Sequence, residues 1–173
     1  MFEGKRVNLR LVEKEYLKSF TDFLNDSDMG SPYMPILQQS EAQIEERYGK
    51  LPQEEKWFFV EKKDGDRIGW ISHSLIGGSM TIEYALIPSE RNQGYGTEAV
   101  RTIVDYLFLS KSIVRVQAET LVENLASQRA LEKAGFTKEA IKRKSSFVRG
   151  LWRDDALYSI LREEWRGPKI LKG

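Results

Sequence analysis

Two short turns, Asp64-Gly65 and Gly77-Gly78, stand between three runs of strand-forming residues, WFFVEKK, RIGWISHSL and TIEYALIP. Asp-Gly and Gly-Gly between such runs are strong hairpin signals, because tight hairpin turns need positive φ at their central positions. The middle of the chain is therefore an antiparallel meander. Beyond the meander the pattern changes. RNQGYG, Arg91 to Gly96, leads into a helical face made by Ala99, Val100, Ile103, Val104, Leu107 and Phe108, and VRVQAET after it is another strand. This strand-helix-strand crossover makes VRVQAET parallel to TIEYALIP if the two are neighbours. The fold class is α+β: a mixed, mostly antiparallel central sheet of about seven strands flanked by helices.

The remaining segments fit that plan. RVNLRLV alternates apolar and polar residues as a half-buried strand does, and Tyr16, Leu17, Phe20, Phe23 and Leu24 then recur at helical spacing. Residues 26–40 hold too many breakers for one helix, which predicts a loop with short helical pieces, and EAQIEERYGKL reads as a helix ending near Gly49. NLASQRALEKAGF is a helix with Asn124 as N-cap, Gly135 as its stop and Phe136 folding back on the last turn. Two strands, at 137–148 and 152–161, close the chain around a turn near Gly150.

A chain of 173 residues with 40% apolar and 31% charged residues is expected to form one domain, 1–173, with an ordinary core. Lys and Arg number 27 against 26 Asp and Glu, so overall charge gives no footprint for nucleic acid or an anionic membrane. The absence of cysteine excludes disulfides and a thiolate nucleophile, and a single His makes a histidine-built metal centre a poor expectation. No apolar leader or bilayer-length run is present, so the chain is expected to be cytoplasmic.

RNQGYG is the motif with chemical content. Gly94, Gly96 and Ala99 fit G-x-G-x-x-A, and Glu119 lies where a dinucleotide fold places its ribose-binding acid. Against this, six residues separate the motif from its strand, hairpins precede it, and too little chain follows Glu119 for a doubly wound sheet. A P-loop would need Lys-Ser or Lys-Thr after the glycines, and neither is there. The motif is either a polar glycine-containing start to a helix or an anion cradle, in which small residues admit a ligand to the free N–H groups of the first helical turn. Arg91 and Gln93 would add side-chain donors.

Arg91-x-x-Gly94-x-Gly96, between an antiparallel strand and an amphipathic helix, resembles the acetyl-CoA pyrophosphate motif of the GNAT superfamily of N-acetyltransferases. Asn124-Leu-Ala-Ser127 and Glu132-Lys-Ala-Gly135-Phe136 are similar to segments of its RimJ/RimL branch, as are GKRVNLRLVEKEY and LWRDDALYSILREEW, so the likeness covers nearly the whole chain. It implies a GNAT fold with a splayed parallel strand pair and acetyl-CoA as co-substrate, without metal. It also implies cofactor contacts from the strand backbone at Leu86 and Ile87, from Arg91, Asn92, Gln93, Gly94, Tyr95, Gly96 and Thr97 around the pyrophosphate, and from Asn124 and Ser127 along the pantetheine arm. Asn124 can serve as N-cap and ligand contact together, since a cap uses only part of its amide.

The implied reaction is attack of a neutral amine on the thioester, with CoA leaving as a thiolate. An N-terminal amine is roughly a tenth neutral at pH 7, whereas a lysine-like amine is neutral in only about 4 parts in 10⁴, so the latter leans harder on a base. Glu83 is the base candidate; otherwise it is a solvated strand carboxylate. A two-residue turn at Gly77-Gly78 pairs Ser72 with Glu83 and His73 with Ile82, which sends His73 to the opposite face, as a structural or exposed residue. Many GNAT enzymes carry a tyrosine acid where this chain has Leu131, which leaves Ser127 as the acid candidate, and Ser146 stands where relatives carry a glutamate base.

The implied acceptor is first a protein or peptide α-amine and, as alternative, a small amine such as a polyamine or aminoglycoside; a CoA-binding module without catalysis is the reading from another class. The expected partners are that acceptor and, as a candidate assembly, a homodimer, with neither nucleic acid nor membrane. The loop 26–40 and the hairpin near Gly150 should form the acceptor side, with Tyr33, Met34 and Trp152 as walls. Asp26, Asp28, Asp154 and Asp155 either cluster there for a polycation or are solvated loop charges.

Overall fold

The computed structural model describes residues 1–29 and 32–170. β1 (Phe2–Glu3), β2 (Val7–Leu11), α1 (Leu17–Asn25) and α2 (Glu41–Gly49) come first, and β3 (Lys56–Lys62), β4 (Arg67–Ile76) and β5 (Ser79–Leu86) form the meander. α3 (Tyr95–Ser110), β6 (Arg115–Leu121), α4 (Leu125–Ala134), β7 (Thr137–Val148) and β8 (Leu151–Leu161) complete the chain. One sheet runs in the order β1-β2-β3-β4-β5-β6-β8-β7. The sheet has eight strands because two-residue β1, too short to leave a pattern, pairs with β2 through Phe2 and Leu9.

The turn at Gly77-Gly78, with φ of 56° and 81°, fixes the β4–β5 register as its length demands: Ser72 opposite Glu83 and His73 opposite Ile82. Among the described residues β5 and β6 are the one parallel pair, and they meet only at Met80 with Val116 and Thr81 with Gln117. From Ile82 to Leu86 the edge of β5 facing β6 has no strand partner among the described residues, so the pair splays open. The mixed, helix-flanked sheet with a splayed parallel pair is the expected architecture.

Strand alternation sorts the core into two. Val116, Ala118, Met80, Ile82, Ala156 and Tyr158 face α3 and α4, where Ile103, Leu107 and Leu131 complete the packing. Trp57, Phe59, Trp70 and Ala85 face α1 and α2, meeting Leu17, Phe20 and Ile44. Local signals set the helix ends. Ser40 and Gln43 form a reciprocal capping box at the start of α2. Asn124 Oδ1 accepts from Ser127 N at 3.2 Å at the start of α4, and Gly135 at φ 104° ends it, with Phe136 N bonded back to Leu131 O.

The loop 26–40 departs from expectation. Among its described residues there are turns but no helical piece; residues 30 and 31 lie outside the described residues. Asp26 holds the bend by accepting from Asp28 N at 2.8 Å. The Arg91 guanidinium donates to the carbonyls of Asp28 and Met29, and Arg149, in the β7–β8 turn, donates to Ser27 O at 2.8 Å. These side-chain donors satisfy carbonyls that a helical turn would otherwise have used. No helix among the described residues is long and apolar enough to cross a membrane.

Candidate active site

The gap between β5 and β6 opens into a cleft of about 790 Å³, within the range of small-ligand sites. It passes through the sheet, so successive residues of β5 serve opposite sides: Tyr84 packs toward α3 and α4, while Glu83 and Ala85 face α1 and α2.

On the α3 side the cleft ends at a cradle. Gly94 caps α3 at φ 87°, and Asn92, at φ 60°, turns the chain just before it. A side chain at Gly94 would be strained at that φ, and a Cβ at Gly96 would come to 3.6 Å from Leu86, filling space on the cleft wall. Asn92, Gly94, Gly96 and Thr97 line the opening together with Arg129 and Lys133 of α4. An α-helix leaves its first N–H groups unsatisfied, so a partial positive charge faces the opening, and two cations, Arg129 and Lys133, line the same cleft.

Several expected contact residues hold the cradle from behind. Arg91 lines the cleft, but its Nε donates to Leu86 O at 2.9 Å while its Nη2 clamps the 28–29 carbonyls. Gln93 turns its amide to Ser89 O, and its own carbonyl accepts from Arg6 at 2.6 Å; Arg6 in turn lies over the Tyr95 ring. Ile87 packs between the two cores, its N–H bonded to Ile68 O. Leu86 lines the cleft.

Farther along, Asn124 and Ser127 enter from the start of α4. Ser127 Oγ lies 2.9 Å from the Tyr84 hydroxyl, and burial pushes the Tyr84 pKa up to about 12, so the phenol stays protonated. Leu131, at the position where relatives carry tyrosine, is fully buried in the core. A tyrosine therefore does reach this part of the cleft, but from β5. Its only signal in the sequence is the strand alternation beside Glu83, which does not single it out because Tyr84 also reads as ordinary core.

On the α1–α2 side, Glu83 is an exposed residue of β5 that lines the cleft. Burial raises its pKa, Arg47 pulls the other way, and Glu55 adds to the rise. Arg47 is itself compensated by Glu55 at 3.2 Å and lies over the Trp57 ring. His73 is on the far face, wholly buried between Phe58 and Tyr106, which removes the exposed alternative. Tyr33 and Met34 line this side as expected, whereas Trp152 does not: it is 58% exposed and packs on Phe147 outside the cleft.

The four candidate aspartates do not cluster. Asp26 and Asp154 shape backbone bends, Asp154 by accepting from Lys144 N at 2.9 Å, and Asp28 lies away from the cleft lining. Asp155 is no solvated charge: it is 4% exposed and lines the cleft beside Ser146. No local pattern announces this, since the burial of Asp155 comes from strand pairing with β6 and β7.

The sequence profile described as the Acetyltransferase (GNAT) domain matches residues 6–137. The probable N-acetyltransferase YjcK of Bacillus subtilis is 37% identical over 124 residues, 68% of each chain. Among solved structures, a spermidine N-acetyltransferase from Vibrio cholerae, in complex with CoA and spermine, superposes with TM-score 0.82 at 22% identity, over 92% of this chain and 97% of that one. A ribosomal-protein-S5-alanine acetyltransferase from Vibrio fischeri gives TM-score 0.84 at 22% identity, over 95% and 98%. At such identities the two structures speak for the fold, while the profile and the sequence relative speak for descent: the chain belongs to the GNAT acetyltransferase family and is an acetyl-CoA-dependent N-acetyltransferase.

Proposed function

We propose that the acceptor is a small polycationic amine, of the polyamine or aminoglycoside kind, in place of the protein α-amine that the resemblance puts first. The observation that carries this is the pair of carboxylates, Glu83 and Asp155, that line the α1–α2 side of the cleft with no ion pair to any described residue. A neutral peptide backbone has no use for two such charges; a polycation has. The polyamine acetyltransferase among the structural neighbours supports the same choice.

In this reading the splayed edge of β5, at Leu86 and Ile87, holds the pantetheine arm, and the pyrophosphate rests on the cradle from Asn92 to Thr97, with Arg129 and Lys133 adding charge. Arg91, Gln93 and Tyr95 act by fixing the loop. Asn124 and Ser127 border the thioester, and these two with the Lys133-Ala-Gly-Phe136 segment support placement near the RimJ/RimL branch. Glu83 takes the proton from the attacking ammonium, and its raised pKa brings it closer to the pH of use. The nitrogen then bonds to the acetyl carbon and releases its second proton to solvent, the C–S bond breaks as the adduct collapses, and the thiolate takes a proton from the Ser127 hydroxyl, which the Tyr84 phenol backs at 2.9 Å and which is reprotonated from solvent.

The test is acetyl transfer from acetyl-CoA to a panel of polyamines, aminoglycosides and peptides with free N-termini. A kcat/KM for a polyamine or aminoglycoside at least about tenfold above every peptide is expected, a modest share of the selectivity that paired polar contacts can give. A peptide as best acceptor would overturn the reading.

A further inference from the structure

We infer that Asp155 is the specificity residue for a second ammonium group on the acceptor, so that the cleft selects amines carrying two positive charges; this rests on the small-amine reading above. Strand parity places Asp155 on the same side as Glu83. Thr81 pairs with Gln117 across the parallel contact, and their side chains bond at 3.2 Å on one face. Steps of two then carry Thr81 to Glu83 and Gln117 to Leu121, which pairs with Asp155. Glu83 and Asp155 therefore look into the acceptor side from opposite banks of the splay.

The surroundings of Asp155 are those of an anion kept for a ligand. β7 carries a bulge between Lys142 and Ser146, with Lys144 at φ 49°, and the extra residues bring two hydroxyls onto one carboxylate. Ser146 donates to Asp155 Oδ2 at 2.5 Å. Ser145 lies 2.7 Å from the same oxygen and shares its proton with Lys142 O at 2.9 Å. Two hydroxyls on one oxygen fix the orientation of the carboxylate.

No cation among the described residues closes the pair. Lys142, opposite Asp155 in β7, is turned to Glu119 at 2.7 Å; Arg153 is on Glu123 at 3.3 Å; Arg47 is on Glu55. A carboxylate 4% exposed with donors on one oxygen and no countercharge is costly to keep, and a bound ammonium at the other oxygen, Oδ1, offsets that cost. An acceptor with one amine at Glu83 and another at Asp155 satisfies both banks together, whereas a monoamine leaves one carboxylate bare.

The experiment compares putrescine and spermidine with butylamine as acceptors for the wild-type protein, Asp155→Asn and Ser146→Ala. Acetyl-CoA affinity serves as the check that each variant is folded. The wild type should prefer the diamines. In Asp155→Asn, which keeps an oxygen for the serines, the preference for putrescine over butylamine should fall on the order of tenfold to a hundredfold, the worth of a charged hydrogen bond. That fall should sit in KM, with kcat at saturation nearly retained. Ser146→Ala keeps the charge but frees its orientation, so it should show a smaller loss of the same kind, and it carries the test if Asp155→Asn does not fold. A wild type that prefers diamines together with an unchanged preference in the folded variants would overturn the assignment of Asp155 alone. So would equal losses for diamine and monoamine. A wild type that acetylates peptides but neither diamine would overturn the acceptor class and this assignment with it.

Discussion

Glu83 and Tyr84 are adjacent on β5, and alternation gives them to opposite sides of the cleft, which the proposed mechanism assigns to the incoming amine and the departing sulfur. Replacing Glu83 by Gln removes the proton acceptor while keeping shape. General-base catalysis is worth about 10²–10⁴, so kcat/KM with a small amine should drop by that order while acetyl-CoA affinity, read by calorimetry, holds. A rise in acceptor KM with kcat intact would instead make Glu83 a binding group. Because burial raises the Glu83 pKa, the acidic limb of the wild-type kcat/KM profile should lie above the ordinary carboxylate range and vanish in Glu83→Gln. Tyr84→Phe is a gentler change. It deletes only the hydroxyl at 2.9 Å from Ser127, and kcat should fall about tenfold, the scale of one buried hydrogen bond. An unchanged kcat would leave Tyr84 as packing.

The start of α3 is the element on which cofactor binding turns in the proposed mechanism. Gly94 sits at φ 87°, a conformation that Asn tolerates far better than other side chains, so Gly94→Asn and Gly94→Asp share most of their backbone cost but differ by one charge. If the helix start holds a pyrophosphate, Gly94→Asp should weaken acetyl-CoA binding on the order of tenfold or more beyond Gly94→Asn, since the dipole interaction it opposes is worth about 1 kcal/mol and the direct repulsion adds to that. Equal affinities would remove the cradle from the mechanism. Gly69 matters for a different reason. A Cβ there would come to 2.2 Å from the Ala85 carbonyl and 2.7 Å from Leu86, so Gly69→Ala must displace the end of β5 at the mouth of the cleft. A loss of about 1–3 kcal/mol in urea unfolding is expected, with acetyl-CoA affinity lowered as well. These elements are legible in the sequence because their causes are local: a turn that needs positive φ, an Asn that caps, a Gly that ends a helix. Asp155 and β1 are not, because the burial of the one and the existence of the other come from pairing with strands distant in sequence. The 26–40 loop misleads for a related reason: Arg91 and Arg149 reach in from elsewhere to satisfy its backbone.

At the scale of the whole molecule, the sheet carries an apolar core on each face, and the only histidine lies on the face that packs against α3. His73 is fully buried against Phe58 and Tyr106, with no sound hydrogen bond among the described residues. Burial pushes its pKa down to about 4, against a weaker upward pull from the Glu54 backbone, with Lys111 and Lys56 lowering it further. Above about pH 6.5 the imidazole is neutral in both folded and unfolded chains, so its contribution is fully present. As pH falls toward 4, the unfolded chain binds a proton that the folded one refuses, and stability is lost at up to about 1.4 kcal/mol per pH unit, about 3 kcal/mol in all. The raised Glu83 carboxyl works the other way, since the folded state takes up that proton first as pH falls. Net acid sensitivity is therefore smaller than the His73 share, and comparison with a variant isolates it. His73→Phe keeps a ring among rings and has no proton to bind. Urea unfolding at pH 7.5 and pH 5 should show the wild type losing about 2 kcal/mol more than His73→Phe between the two, because only the roughly 1.5 units below the ordinary histidine pKa contribute at that slope. Equal losses would mean that His73 reaches water as readily as it does in the unfolded chain, and its packing between Phe58 and Tyr106 would not keep water out.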